Sequence, residues 1–149
     1  MQHINRWMVV LVLILAALNV AACAETSAAN APTKIQPAQV EKIEGTELNR
    51  LTLTEKAVQR LNLQTASVSE EQVDGAQQLA VPYSAVIYDL EGATWIYIST
   101  APLTYVREAV TVDHIEGDMA FLAQGPAAGT EVVTVGVPEL YGADTGIGK

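Results

Sequence analysis

The sequence predicts a mainly β protein, a small roll or barrel-like domain with one short helix, standing behind an apolar N-terminal segment. Two observations carry that prediction. From residue 79 onward, runs of β-branched and aromatic residues recur at short spacing, each closed by Gly, Pro or Asp, as in a small antiparallel sheet that folds on itself. A single stretch, residues 55–61, places apolar residues at helical spacing.

The elements follow in order. Val40 to Leu53 opens with Val40 and Ile43 among charged residues, turns at Gly45 and ends in the strand-like Leu51-Thr52-Leu53. Thr54 is placed to cap the short helix, and Glu55 sits where the helix dipole favours an acid. Ala57, Val58 and Leu61 share its apolar face, and Asn62 suits the left-handed conformation that ends a helix. Leu63 to Val68 returns to a strand pattern, and Ser69 to Gln77 reads as a polar connection. Leu79 to Val81 leads through Pro82 to Ala85–Tyr88, and Asp89 to Gly92 makes a turn. Thr94 to Ser99 is a strand closed by Ala101-Pro102; Tyr105 to Val112 alternates, with Val106, Glu108, Val110 and Val112 on one side. Glu116-Gly117-Asp118 turns the chain into Met119–Ala123, and Gly125 to Gly129 turns it into Glu131–Val135. The tail from Gly136 is too glycine-rich for a stable helix, with room for one turn that packs Leu140 and Tyr141 on the sheet.

At 149 residues there is room for one domain, and the formal charge of -9 repels phosphate backbones, so no nucleic acid partner is expected. The first residues explain much of the 50% hydrophobic content. A polar start with one base, Arg6, precedes an apolar run from Trp7 to Leu18, and then come Asn19, Val20, Ala21, Ala22 and Cys23. A basic start, an apolar centre and small residues before a cut site are the parts of an export signal. The segment resembles a bacterial lipoprotein signal, with Val20, Ala21 and Ala22 as the lipobox and Cys23, the one cysteine of the chain, as the lipidated residue. Two other readings compete. A transmembrane anchor needs about 20 apolar residues, more than this run supplies before Asn19. A plain secretory signal would leave Cys23 incidental. In the lipoprotein reading, residues 1–22 are the signal peptide, 23–39 a flexible tether rich in small and polar residues, 40–137 the folded domain and 138–149 a C-terminal tail. By the sorting rule for lipoproteins of bacteria with two membranes, Ala24 is not a retention signal for the inner membrane, and the expected location is the cell envelope, facing the periplasm or the outer surface.

Catalytic constellations are not evident. Behind the signal, His114 is the one histidine, in Asp113-His114-Ile115-Glu116-Gly117-Asp118 beside a turn. A solvated acidic turn is the favoured reading over a metal site, because no second His or Cys follows at ligand spacing. Gly125 and Gly129 flank a turn that precedes a strand, so they are not a phosphate loop. Trp95 and Tyr97 could line a pocket, but on a strand they read first as sheet packing. No cofactor and no metal are expected, and the chain reads as a non-enzyme.

Two stretches together resemble the membrane-proximal domain of periplasmic adaptor subunits (membrane fusion proteins) of efflux pumps, the HlyD-like group. One is Leu51 to Val68, matching the family's strand, short helix and "Leu-Gly-Ile-x-Thr-Ala-x-Val", with Asn62 in place of the usual Gly. The other runs from Val81-Pro82 through Thr94–Ile98, Arg107–Val112 and Glu116–Asp118 to Gly125–Gly129 and Val132–Gly136. It is similar in order to the adaptor's C-terminal region. The lipoyl-like domain, coiled-coil hairpin and β-barrel that separate these stretches in a full adaptor are missing here. The resemblance implies a non-catalytic accessory protein, held to a membrane by its N-terminal lipid and contacting a membrane transporter or another envelope complex subunit. The alternative is a lipoprotein that captures a small ligand, peptide or cation.

Overall fold

The computed structural model describes residues 36–73 and 75–147. The lipobox residues Val20, Ala21 and Ala22, Cys23 and the expected tether up to residue 35 lie outside the described residues. Among the described residues there are ten strands: β1 (Ala38–Lys42), β2 (Asn49–Leu53), β3 (Gln64–Ser67), β4 (Ser69–Val73), β5 (Ala76–Pro82), β6 (Ile87–Tyr88), β7 (Thr94–Ala101), β8 (Thr104–Glu116), β9 (Met119–Gln124) and β10 (Glu131–Val135). Two α-helices accompany them in the described residues, α1 (Glu55–Leu61) and α2 (Val137–Thr145), with a 3-10 turn at Tyr83–Ala85. The mainly β class is as expected, and the sheet curls into half a barrel.

Every pairing is antiparallel. The main path runs β3-β10-β7-β8-β9-β5-β4, with the β1–β2 hairpin joined to the start of β8 and the short β6 joined to the start of β7. The 13-residue β8 is the spine of this arrangement. Its first half pairs with β7 and β2, and its second half pairs with β9. Register shifts at Thr111/Val112 and Val112/His114 mark where it changes partners. Irregularities of this kind bend a strand and raise its twist, which lets one sheet curl over itself.

Side chains alternate across a strand, so a central strand with both faces buried is apolar throughout. On β7, Tyr97 enters one hydrophobic cluster while Ile96 enters another; on β10, Val133 and Val132 divide the same way. The first cluster lies beneath the helices and contains Leu51, Leu53, Ala57, Tyr97, Tyr105, Val133, Val137 and Leu140. The second lies where the sheet curls over itself and contains Val68, Val81, Ala85, Ile96, Val110, Ala120, Leu122 and Val132.

α1 forms as its sequence dictates. The Thr54 hydroxyl accepts from the Ala57 amide at 3.2 Å, and Asn62 takes the left-handed conformation, φ 48° and ψ 42°. Three expectations need correcting. Residues 69–77 are not a connection: β4 pairs with β5 from Ser69↔Ala80 to Val73↔Ala76 around a turn at Gly75, φ 86°. As an edge strand with its central residues Glu70, Glu71 and Gln72 exposed, β4 lacks the apolar alternation that announces a half-buried strand. Its acids are the kind of side chain that keeps a free sheet edge from pairing with other chains. Second, the tail forms a nine-residue helix rather than a single turn. Its local propensity is poor, but Val137 and Leu140 are buried, and Pro138 occupies the first turn, where its missing N–H costs nothing. Third, the first strand begins at Ala38, two residues before the expected start.

Candidate functional site

The polar group that the fold builds with most care lies between α2 and the sheet. Asp144, in the last turn of α2, is the one buried charged residue among the described residues, with its side chain 1% exposed. Burying a carboxylate requires partners for its oxygens, and three strands supply them. From β7, the Tyr97 hydroxyl donates to Asp144 Oδ2 at 2.7 Å. From β2, Asn49 Nδ2 donates to Asp144 Oδ1 at 2.9 Å and to the Asp144 carbonyl at 3.1 Å. From β8, Arg107 Nε lies 3.4 Å from Asp144 Oδ2, close enough to pair charges but without the alignment of a hydrogen bond.

Arg107 and Tyr97 stand opposite each other on β8 and β7, so the pairing register brings both under the helix. The guanidinium carbon of Arg107 sits 4.5 Å from the Trp95 ring centroid and 5.8 Å from that of Tyr141. Two aromatic faces thus flank a cation that is largely withdrawn from water. Trp95 is fixed in turn, its Nε1 donating to Asp89 Oδ2 at 2.8 Å. The Tyr97 phenol is pushed well above its ordinary pKa, first by burial and then by the hydrogen bond it donates to Asp144. A phenol in that state keeps its proton and acts as a donor.

This arrangement is suited to fastening rather than to reaction. The Asp144 carboxylate, the Tyr97 hydroxyl and the Asn49 amide are committed to one another beneath a helix. Trp95 and Tyr97, the residues considered for a pocket, instead form its wall: Tyr97 is fully buried and Trp95 lies against Arg107. Sequence reading missed Asp144 and Arg107. One signal was available, because Arg107 is the lone Lys or Arg between Arg60 and Lys149, and a solitary base in an acidic stretch is a candidate for internal pairing.

The other residues singled out from sequence lie elsewhere. The His114 ring stacks on Phe121 with centroids 4.6 Å apart and an interplanar angle of 5°, and its Nδ1 is 2.9 Å from Asp113 Oδ2. No group of three or more His, Cys, Asp or Glu side chains that could hold a metal occurs among the described residues. Asp89 does more than turn the chain: its carboxylate accepts from the Glu91 and Ala93 amides at 3.1 and 2.7 Å as well as from Trp95. The Trp95 bond, followed by these backbone bonds, holds its pKa below the ordinary carboxylate value. Compared with protein-family models, with curated proteins and with solved structures, the chain matches none.

Proposed function

We propose that this is a lipid-anchored, non-catalytic accessory protein of the cell envelope, whose β domain contacts a membrane transporter much as the membrane-proximal domain of an efflux adaptor does. The anchor reading is supported by Val20-Ala21-Ala22-Cys23 at the end of an apolar run. The transporter reading is supported by the resemblance of residues 51–68 and 81–136 to adaptor sequences. One structural observation carries the non-catalytic reading. The groups best suited to chemistry are engaged with one another under α2, Asp144 accepting from Tyr97 and pairing in charge with Arg107, and His114 is stacked on Phe121 instead of standing beside a nucleophile. The burial of Tyr97 also weighs against capture of a small ligand between Trp95 and Tyr97.

Two experiments test this reading. Metabolic labelling with palmitate is expected to mark the chain and to be lost in Cys23→Ser; labelling that survives the substitution refutes the anchor. Purification of the full chain from detergent-solubilised membranes is expected to bring a transporter subunit with it. Recovery of the chain free of any such subunit, under conditions that keep other envelope complexes intact, refutes the partner.

A further inference from the structure

Charge is distributed very unevenly along the folded part. Residues 36–60 carry four acids and four bases, whereas residues 61–147 carry twelve acids and one base, Arg107. That base is only 14% exposed and faces a buried carboxylate, so it does little to neutralise the surface. The part of the chain from β3 to α2 therefore carries largely uncompensated negative charge, on β4, β8, β10 and the turns between strands.

Within this anionic part, three large apolar residues are exposed near one another in the fold. Leu90 is 94% exposed, Tyr88 49% and Tyr83 42%. Tyr83 lies beside Tyr88, whose phenol it raises above the ordinary value by hydrogen bonding. The Tyr83 amide donates to the Asp118 carbonyl at 2.8 Å, which brings the Glu116-Gly117-Asp118 turn against the same place. Asp89 and Glu91 thus flank Leu90 in the chain, and Asp118 meets Tyr83 through its backbone.

A lone exposed leucine is commonplace, but this one is held firmly. The Asp89 carboxylate accepts three hydrogen bonds, and the Asp89 amide donates to the Ala93 carbonyl at 3.0 Å, closing the turn. Leu90 is therefore presented on a pre-formed turn, and contact with it requires little further ordering of this chain.

We propose that Leu90, Tyr88 and Tyr83 form a docking surface for a basic, apolar-anchored segment of a partner protein, whose Lys or Arg side chains meet Asp89, Glu91 and Asp118. Charge complementarity selects this occupant. A second copy of the chain would set two acidic surfaces against each other. A lipid surface would have to accept the carboxylates of Asp89 and Glu91 along with Leu90, and anionic headgroups would repel them. The proposal stands whether or not Cys23 carries a lipid.

The test uses the full chain in nonionic detergent and three short fluorescent peptides, alternating Leu-Arg, Leu-Glu and Ser-Arg. The Leu-Arg peptide is expected to bind in a salt-sensitive manner, and the other two at least about tenfold more weakly, because Leu-Glu carries charge of the repelled sign and Ser-Arg lacks an apolar anchor. Leu90→Ser and the pair Glu91→Gln with Asp118→Asn are each expected to weaken Leu-Arg binding about tenfold with unchanged circular dichroism. Equal binding of Ser-Arg overturns the proposal. So does an equal loss on substituting Glu70→Gln and Glu71→Gln of β4, the strand at the end of the sheet, which would mean a diffuse polyanion effect. In Leu90→Cys with Cys23→Ser, an environment-sensitive dye on residue 90 is expected to shift with the Leu-Arg peptide. A shift with phosphatidylcholine vesicles instead, or a concentration-dependent dimer abolished by Leu90→Ser, overturns it in favour of a membrane or a second copy.

Discussion

The two faces of the central strands are covered by different means. On one face, hydrocarbon from Val81, Ala85, Ile96, Val110, Ala120, Leu122 and Val132 meets hydrocarbon as the sheet curls over itself. On the other, two helices lie over Leu51, Leu53, Tyr97, Tyr105 and Val133, and beside this second core stands the linked set of Asp144, Tyr97, Asn49 and Arg107. A curled sheet is guided onto itself by its own hydrogen-bonded ladder. The C-terminal helix has no ladder to the sheet, so side-chain bonds at its last turn determine where it settles. One face is thus specified by backbone pairing, the other by a buried carboxylate.

That contrast can be broken most forcefully at Asp144. Asp144→Ala strands the Arg107 cation and leaves Tyr97 and Asn49 without their acceptor, and is expected to cost roughly 3–5 kcal/mol in denaturant unfolding. Amide hydrogen exchange should quicken in α2 and β2 while β5 and β9 keep their protection; uniform quickening would mean that the two faces open as one. Leu122→Ala, in the self-covered face, is expected to cost about 2–5 kcal/mol through lost burial and cavity formation, with the exchange pattern reversed. Tyr97→Phe removes one hydrogen bond to a charged group and is expected to cost about 1.5–3 kcal/mol; a neutral result would make Asn49 and Arg107 sufficient to hold the carboxylate.

Alkaline pH sharpens the same comparison. Burial and the Asp144 bond raise the Tyr97 phenol above the ordinary tyrosine value of about 10, so the native chain keeps a proton that the unfolded chain releases. The associated stability is complete below that unfolded value and declines as pH rises above it. Tyrosinate absorbance should show at least one phenol that ionises only with unfolding, and Tyr97→Phe should remove that component. The smallest effect is expected at Thr54→Ala, where loss of the α1 cap costs about 1 kcal/mol, measured as a modest drop in melting temperature.

What could be read from the sequence was what local chemistry decides. Thr54 and Asn62 bracket α1 because a hydroxyl acceptor and a left-handed residue are needed at those places, and β10 spans Glu131–Val135 as its β-branched run predicts. β4 was obscured because an edge strand with its middle exposed needs no apolar alternation, although Asp74-Gly75 is a strong hairpin signal. α2 was obscured because its stability comes from burying Leu140 and bonding Asp144 against the sheet, not from local helix propensity. The buried Asp144 group joins Asn49 to a residue 95 positions away, a distance at which neither motif nor periodicity speaks. The Leu90 turn was read as a turn, but its strong exposure became visible only with the fold.

The first strand has a mechanical consequence. All but one residue of β1 are exposed, so it is held chiefly by its ladder to β2 and by the Thr54 amide donating to the Pro37 carbonyl at 3.0 Å. Any tension arriving along the chain from before residue 36 loads these bonds first. Leu51 and Leu53 of β2 are buried, and β2 is also paired with β8, so peeling β1 away pays out slack while the sheet behind it keeps its shape. The strand acts as a fuse, yielding under load before the domain does.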